Sequence, residues 1–112
     1  MPLTVLKPTI TAGQSLSSSV NLVDGLAEFI VIPANWTMAN ISWQFSADGT
    51  VWGDVCTVSG MELLTPADPG CSILFPSDMQ LSKNTYMKIR SGSKNHPVPQ
   101  QSDVELQIAV ST

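Results

Sequence analysis

Hydrophobic and polar residues alternate along much of this chain with a period of two. In residues 41–46, isoleucine, tryptophan and phenylalanine are separated by serine and glutamine, and Asp48-Gly49 follows shortly after. Such alternation is typical of a strand with one face in a core, and Asp-Gly readily supplies the positive φ angles of a tight hairpin turn. The pattern predicts a β-hairpin in which Trp43 and Trp52 fold together as an aromatic clamp.

Other segments carry strand signatures, and none has the period of a long helix. Residues 86–90 and 104–110 alternate cleanly, whereas residues 26–32 are nearly all apolar, which predicts a central strand buried on both faces. Residues 76–80 have the composition of one serine-capped helical turn. We count eight or nine short strands, which predicts an all-β protein, an antiparallel β-sandwich or jelly roll.

The length of the chain, 112 residues, allows one domain with a real core. Residues 1–11 hold two prolines among β-forming residues, which predicts an extended N-terminal arm or an edge strand. Residues 12–112 are predicted to form a single sandwich domain. Its expected core comprises Leu22, Phe29, Val31, Trp43, Phe45, Trp52, Ile73, Met87, Ile89, Leu106 and Ile108.

Charge is scarce and unevenly placed. Charged residues are 12% of the chain, about half the usual share of ~25%, and a surface poor in charge is easily desolvated in a protein–protein contact. A serine- and threonine-rich sandwich surface is the plainer reading. The net charge is −4, yet four basic residues lie within one short acid-free segment: Lys83, Lys88, Arg90 and Lys94.

This basic segment predicts a positive face opposed to an acidic remainder. Opposed patches steer neighbouring subunits, or a domain and an acidic surface, into register; a chance cluster on an exposed strand is the alternative. The acidic overall balance, with Tyr86 as the one aromatic in the basic segment, argues against nucleic acid as a partner.

The cysteines and the apolar runs bear on compartment. Cys56 and Cys71 enclose a short loop, but spacing alone does not establish disulfide geometry. The first residues do not resemble a signal peptide, and no run reaches the ~18 apolar residues of a membrane span. We therefore expect synthesis in a reducing cytoplasm, two free and mostly buried thiols, and no membrane partner. Two cysteines and the lone His96 are too few for a metal site, so no cofactor is expected.

Candidate chemistry is sparse. Asp48 and Asp54 flank the hairpin turn and could bind calcium with backbone oxygens, although a turn-forming role for Asp48, bonding the backbone at Gly49 or Thr50, is favoured. His96 is interpreted as a loop residue and not as a catalytic base, because the sequence has no evident serine or cysteine nucleophile with a partnering acid. The sequence therefore predicts a non-enzymatic protein.

The three tryptophans offer a second reading. Exposed indoles can form a sugar-stacking platform, as in carbohydrate-binding modules. Trp43 and Trp52 fall in phase with other apolar residues and are assigned to the core, whereas Trp36 lies in a predicted loop and is the best of the three for a ligand or partner. A glycan is therefore the alternative partner.

One short motif resembles a known fold. Ser46-Ala47-Asp48-Gly49-Thr50-Val51-Trp52 looks like the S-x-D-G-x-x-W hairpin of discoidin-type, galactose-binding-like sandwiches, and Tyr86-Met87-Lys88-Ile89-Arg90 is similar to a late strand of that fold. This resemblance implies a β-sandwich. The ligand loops of that family vary, so no ligand residue follows from it.

A wider pattern resembles small virion proteins of tailed bacteriophages and prophages. It runs from residues 9–17 through 33–49 to 86–92 and a Pro-Val-Pro-Gln-Gln loop. The resemblance implies a structural protein of the virion, such as a capsid decoration (cement) or head-fibre component. The implied partners are the major capsid protein or other virion proteins, together with further copies of the chain in a homo-oligomer. A tail-associated adhesion protein is the related alternative.

Two surfaces are predicted to make these contacts. The N-terminal arm is extended and nearly uncharged, so it could add a strand to a neighbouring subunit; the alternative is an edge strand of its own sandwich. The basic face suits charge pairing with an acidic capsid. The predicted contact residues are Leu3, Val5, Trp36, Lys83, Lys88, Arg90 and Lys94.

Overall fold

The computed structural model describes residues 3–22, 25–75 and 85–111. Every regular element in this part of the chain is a strand, and the predicted helical turn at 76–80 lies outside it. The ten strands are β1 (Leu3–Leu6), β2 (Thr9–Ile10), β3 (Val20–Leu22), β4 (Leu26–Val31), β5 (Ile41–Ser46), β6 (Gly53–Asp54), β7 (Ser72–Leu74), β8 (Thr85–Ser91), β9 (Val104–Glu105) and β10 (Gln107–Ser111).

The strands form two four-stranded antiparallel sheets. Sheet I has the order β1-β10-β4-β7 and sheet II the order β3-β8-β5-β6, while β2 and β9 form a separate two-stranded pair. The pairings are nested: β5 with β6, β4 with β7, β3 with β8 and β1 with β10. This is one long hairpin rolled into two layers, the arrangement of a jelly roll. The predicted all-β sandwich is confirmed.

The tip of the rolled hairpin is the β5–β6 connection. Phe45 pairs with Gly53, so residues 46–52 form a longer turn than the predicted two-residue one. Gly49 has the positive φ expected, 80°. The Asp48 carboxylate accepts hydrogen bonds from the N–H groups of Thr50 (2.8 Å) and Val51 (3.0 Å), which confirms its turn-forming role. These bonds, that of Val51 first, lower the pKa of Asp48.

The core lies between the two sheets. Six predicted core residues are buried and two more pack against them: Leu22, Trp43, Met87, Ile89, Leu106 and Ile108 in the first group, Phe45 and Ile73 in the second. Three assignments were wrong. Phe29, Val31 and Trp52 are only half-buried, because their side chains lie on the outer faces of the sheets.

Strand β4 shows why its residues were assigned to the wrong face of the sheet. Its fully buried residue is Ile30, paired with Ile108 and Ile73, whereas Phe29 pairs with Ala109 and Leu74 on the other face. The prediction that this strand is buried on both faces is wrong, since sheet I carries a second layer on one side only. A near-continuous apolar run normally marks a strand covered on both sides. Because the outer face of sheet I has no second layer among the described residues, the apolar residues of β4 on that face lie at the surface.

The end of the sandwich is closed by the loop of residues 33–40. Trp36 is only 4% exposed and donates its indole N–H to the Ala39 carbonyl oxygen at 3.3 Å. The loop is held by buried Gln100, whose amide accepts a hydrogen bond from the Thr37 N–H (2.7 Å) and donates one to the Thr37 carbonyl (3.0 Å). Trp36 is therefore a core residue, and its predicted role as a surface contact is wrong.

The N-terminal segment belongs to its own sandwich. Leu3 to Leu6 pair antiparallel with β10, and Thr9-Ile10 pair with β9. Of the two alternatives for this segment, the structure has the edge strand. The free arm reaching to a neighbour is not what these residues form.

Gly92 provides a test of the packing where β8 ends. Its φ is +90°, and a Cβ added there would lie 2.5 Å from the His96 carbonyl oxygen and 2.7 Å from the Val98 nitrogen. We expect Gly92→Ala to lower the free energy of unfolding by about 2 kcal/mol, because backbone atoms must move. Gly13→Ala is the matched control: its φ is +83° with nothing within 4 Å of the added carbon. Chemical denaturation measures both, and equal losses would mean that the close approach costs nothing.

Candidate interaction surface

The outer face of sheet I is apolar. Residues directly opposite one another on paired strands share a face, and the register places Val5, Ala109, Phe29 and Leu74 in one row across all four strands. A second row holds Leu3 and Leu26 on either side of Ser111. We call Leu3, Val5, Leu26, Phe29 and Leu74 the apolar face.

The aliphatic side chains of the apolar face are open to solvent. Leu3 is 54% exposed, Val5 47%, Leu26 56% and Leu74 77%. Single exposed apolar residues are ordinary, but a contiguous group of them marks an interaction site in a soluble protein. These four residues come from three different strands and adjoin through Phe29 and Ala109, so they form one patch.

The patch surrounds a shallow open depression of about 510 Å³. Its lining residues are Leu3, Glu28, Phe29, Leu74 and Ser111. Glu28 is the extra residue of a β-bulge: Phe29 pairs with Ala109 and Ala27 with Val110, leaving Glu28 without an opposite residue. Its carboxylate accepts a hydrogen bond from the Ser111 hydroxyl at 2.7 Å. The depression therefore has apolar walls and one acidic group that could fix the orientation of a partner.

The outer face of sheet II has the opposite chemistry. Arg90 is buried there, 8% exposed, between two acids. Its guanidinium donates to the Asp54 carboxylate, to Glu62 Oε2 at 3.3 Å and to the Ser42 hydroxyl at 3.3 Å. Glu62 also accepts the backbone N–H of Lys94 at 2.9 Å. The network ties β8, β5 and β6 to the two loops that carry Glu62 and Lys94.

Within this network, Asp54 has a pKa below its ordinary value. The hydrogen bond from Arg90 is the main cause that lowers its pKa, and the amide of Gln44, which donates at 3.2 Å, acts in the same direction against the effect of burial. Asp54 is thus held ionised beside Arg90. The charge of Arg90 is compensated inside the protein.

The three described residues of the predicted basic face, Lys88, Arg90 and Lys94, do not form one continuous positive surface. Arg90 is buried in its ion pairs, and Lys94, although 62% exposed, lies 4.0 Å from the second carboxylate oxygen of Asp54. Lys88 extends its amino group over the Trp52 ring, 4.4 Å from the ring centroid. Lys83 lies outside the described residues. These residues are close along the sequence. In the folded protein, Asp54 of β6 and Glu62 of the loop that follows β6 pair with Arg90, and Asp54 also lies near Lys94.

The predicted aromatic clamp is also wrong. Trp43 is 1% exposed and packs in the core against Phe75, with ring centroids 5.3 Å apart. Trp52 lies beneath Lys88, which pairs with Gln44 and therefore shares the outer face of sheet II. Gln44 and Trp43 are consecutive and point to opposite sides. The two indoles thus lie on opposite faces of the sheet.

The remaining candidate groups stay apart. Asp48 Oδ1 accepts hydrogen bonds from the turn, and the Asp54 carboxylate pairs with Arg90. Within residues 3–22, 25–75 and 85–111, no three residues among His, Cys, Asp and Glu are grouped so as to hold a metal ion. His96 is an exposed loop residue whose N–H bonds the Ser93 hydroxyl at 3.1 Å. In the same ranges, no helix is long and apolar enough to cross a membrane.

Both thiols are free. Cys71 is half-buried and Cys56 is exposed, so the prediction of two mostly buried thiols is wrong for Cys56. Cys56 lies in an isolated bridge with Glu62, and residues 56–61 are exposed. Its environment is therefore that of a surface residue.

The sequence identified part of the apolar face. Leu3 and Val5 were predicted contact residues, and both are exposed on it. Leu26, Phe29 and Leu74 were missed, since their segments read as buried strands. The available signal was Glu28, a charged residue that the prediction of burial on both faces left unexplained.

Comparison with known proteins identifies no relative. No protein-family model matches the chain, and neither a curated protein nor a solved structure does. Function is therefore inferred from the residues, the fold and the two contrasting faces.

Proposed function

We propose that this chain is a non-enzymatic structural protein that binds other protein subunits through the apolar face. The observation that carries the proposal is the row Val5, Ala109, Phe29 and Leu74, which spans sheet I without a charged residue. Water is easily displaced from such a surface, and the area removed from water stabilises a complex by roughly 25 cal/mol per Å² before the costs of association.

The specific form that we propose is a component of a bacteriophage virion, a capsid decoration or head-fibre protein. Three features support it. The wider sequence pattern resembles small virion proteins, the jelly roll is an architecture that viral capsid domains use, and the apolar face suits attachment to a protein shell. The same fold also serves lectins, so the fold by itself does not settle function.

The chemistry of the tryptophans favours a protein partner over a glycan. A stacking platform needs an indole with an open face. Trp36 and Trp43 are 4% and 1% exposed, and Trp52 is covered by the amino group of Lys88. The Trp36-centred glycan site is thus without an accessible ring, whereas the apolar face is open.

Leu74→Glu should weaken particle binding at least tenfold. Leu74 is 77% exposed and lines the depression beside Glu28, so a second carboxylate would place a charge in the contact and repel the first. Purified protein is mixed with particles that lack it, drawn from the phage or prophage that encodes it, and co-sedimented. We expect wild-type chain to bind with a fixed stoichiometry and the variant to bind at least tenfold more weakly.

Val58→Glu is the matched control, because Val58 is fully exposed in a loop at the edge of sheet II. It should bind like wild type. Binding that survives Leu74→Glu would show that the apolar face is not the contact. Wild-type protein that ignores the particles, together with neighbouring genes that encode glycoside hydrolases instead of capsid, portal or tail proteins, would refute the virion assignment.

A further inference from the structure

The edge of sheet I formed by β1 is the most open pairing site in the described structure. In the two four-stranded sheets, four strands lie at an edge: β1 with four residues, β3 and β7 with three each, and β6 with two. The β6 side is followed by a returning segment in which the Leu63 N–H bonds the Val55 carbonyl at 2.9 Å. Strand β3 lies in sheet II, away from the apolar face. Strand β7 has one exposed apolar residue, whereas β1 has two, Leu3 and Val5.

Strand β1 also lacks the usual protection of an edge. Proteins block open edges with charged residues, prolines or a covering segment, and Leu3-Thr4-Val5-Leu6 contains neither charge nor proline. The neighbouring β2 is covered, because Ser18 donates its N–H to the Thr9 carbonyl at 3.0 Å and accepts the Thr9 N–H through its hydroxyl at 3.1 Å. Among the described strands, β10 alone pairs with β1.

We propose that β1 pairs antiparallel with β1 of a second copy of this chain, around a two-fold axis at Thr4. The two copies of sheet I then form one eight-stranded sheet. The inference deepens the proposed function, because it names one partner and joins two apolar faces into a single surface.

Side-chain alternation places the two-fold axis on a residue of β1 and not between two residues. An axis at Val5 would oppose Leu3 to Lys7, so the axis at Thr4 is preferred. A two-fold axis normal to the sheet keeps outward residues opposite outward residues, so Leu3 faces Val5 of the second copy and Thr4 faces Thr4. Aliphatic pairs and threonine pairs are both favourable across antiparallel strands. Like charges do not meet, since Lys7 lies beyond the paired segment. Strand β1 can therefore pair with the same strand of a second copy.

The area of the apolar face supports a pair of chains as the unit that binds other subunits. The four aliphatic residues of one chain expose on the order of 400 Å², within the range for the largest patch of a monomer. A standard protein interface buries about 800 Å² on each partner. Two chains joined through β1 present a continuous patch of about that size, because Leu3 and Val5 of both copies lie at its centre.

The first test measures mass against concentration by analytical ultracentrifugation. Wild-type chain should sediment at twice the monomer mass of 12.0 kDa in the micromolar range or above. Thr4→Lys opposes two like charges across the axis and should raise the dissociation constant about tenfold or more. Thr11→Lys, an exposed change of equal charge outside β1, should remain dimeric. A wild type that is monomeric throughout, or a Thr4→Lys protein that dimerises normally, overturns the proposal.

The second test holds even if Thr4→Lys fails to fold. In a Cys56→Ser, Cys71→Ser background, Thr4→Cys should form an intermolecular disulfide on mild oxidation, since opposite residues of antiparallel strands lie about 4.5–5.5 Å apart at Cα. Leu3→Cys is the control, because its symmetry mate lies about 8 Å away, beyond disulfide reach. Equal cross-linking of both variants, or of neither, contradicts the register. Failure here with intact Leu74-dependent particle binding would leave the proposed function standing.

Discussion

Replacing Trp43 by alanine is expected to lower the free energy of unfolding by about 3–5 kcal/mol. Trp43 is 1% exposed, lies on the central strand β5 and stacks obliquely on Phe75. The neighbouring strands are hydrogen-bonded into the sheet and cannot collapse into the space left behind, so both the transfer term and the cavity term apply. Because domains of this size are stable by about 5–15 kcal/mol, much of the variant should be unfolded at physiological temperature. Urea unfolding followed by circular dichroism measures the loss.

Two further variants separate burial from aromatic character. Trp52→Ala removes the same side chain from the outer face of sheet II, where water can replace it, and should cost about 1 kcal/mol. Trp43→Phe should cost clearly less than the alanine change, since the indole Nε1 of Trp43 is buried without a hydrogen-bond partner among the described residues. Removing an unsatisfied donor offsets part of the free energy that is lost with the side-chain volume. Equal losses for the two alanine variants would contradict the placement of Trp43 in the core.

Arg90→Met should be nearly as damaging, lowering the free energy of unfolding by about 3 kcal/mol. The substitution removes the buried guanidinium from Asp54 and Glu62 and leaves Lys94 as the one described cation near Asp54, and breaking a buried pair from one side costs about 3–5 kcal/mol. Both acids keep 21% side-chain exposure, so hydration offsets some of this cost. Lys94→Met is the control at the rim of the same network, with an expected change of about 0–1 kcal/mol. A small loss for Arg90→Met would show that the network contributes little to stability.

Arg90→Met should also change how the free energy of unfolding depends on pH. The pKa of Asp54 in the folded protein lies below its ordinary value of 3.8, so its contribution to stability is complete above that pH and is lost as the pH falls through the folded value. Unfolding of wild type below pH 3.8 should therefore show this loss, and Arg90→Met should lack the part due to Asp54. Asp48 has a similarly lowered pKa from its turn and should contribute equally to both proteins. Identical acid profiles would mean that Arg90 does not lower the Asp54 pKa.

The sequence determined the class of fold because its alternation is a local property of each strand. The alternating segments 41–46 and 86–90 lie in β5 and β8, whereas the segment 104–110 is divided between β9 and β10. The residues that alternation placed in the core of these segments are buried or pack against it, and Gly49 has the backbone conformation that the hairpin tip needs. Leu3 and Val5, which the sequence placed among the predicted contact residues, are exposed. Each of these conclusions depends only on neighbours along the chain.

The tertiary structure decided which face of each sheet is covered and which charges meet. Alternation cannot state whether the apolar or the mixed side of β4 faces a second layer, so Phe29 was assigned to the core and the apolar face went unrecognised. Arg90 read as a surface cation because Asp54 and Glu62 are distant in sequence and reach it only when β6 and the 62 loop fold back. The loop that carries the buried Trp36 is held by Gln100, which bonds Thr37 from sixty-three positions away. Local pattern specifies strands, and the nested long-range pairing of the jelly roll determines which side chains are left at the surface.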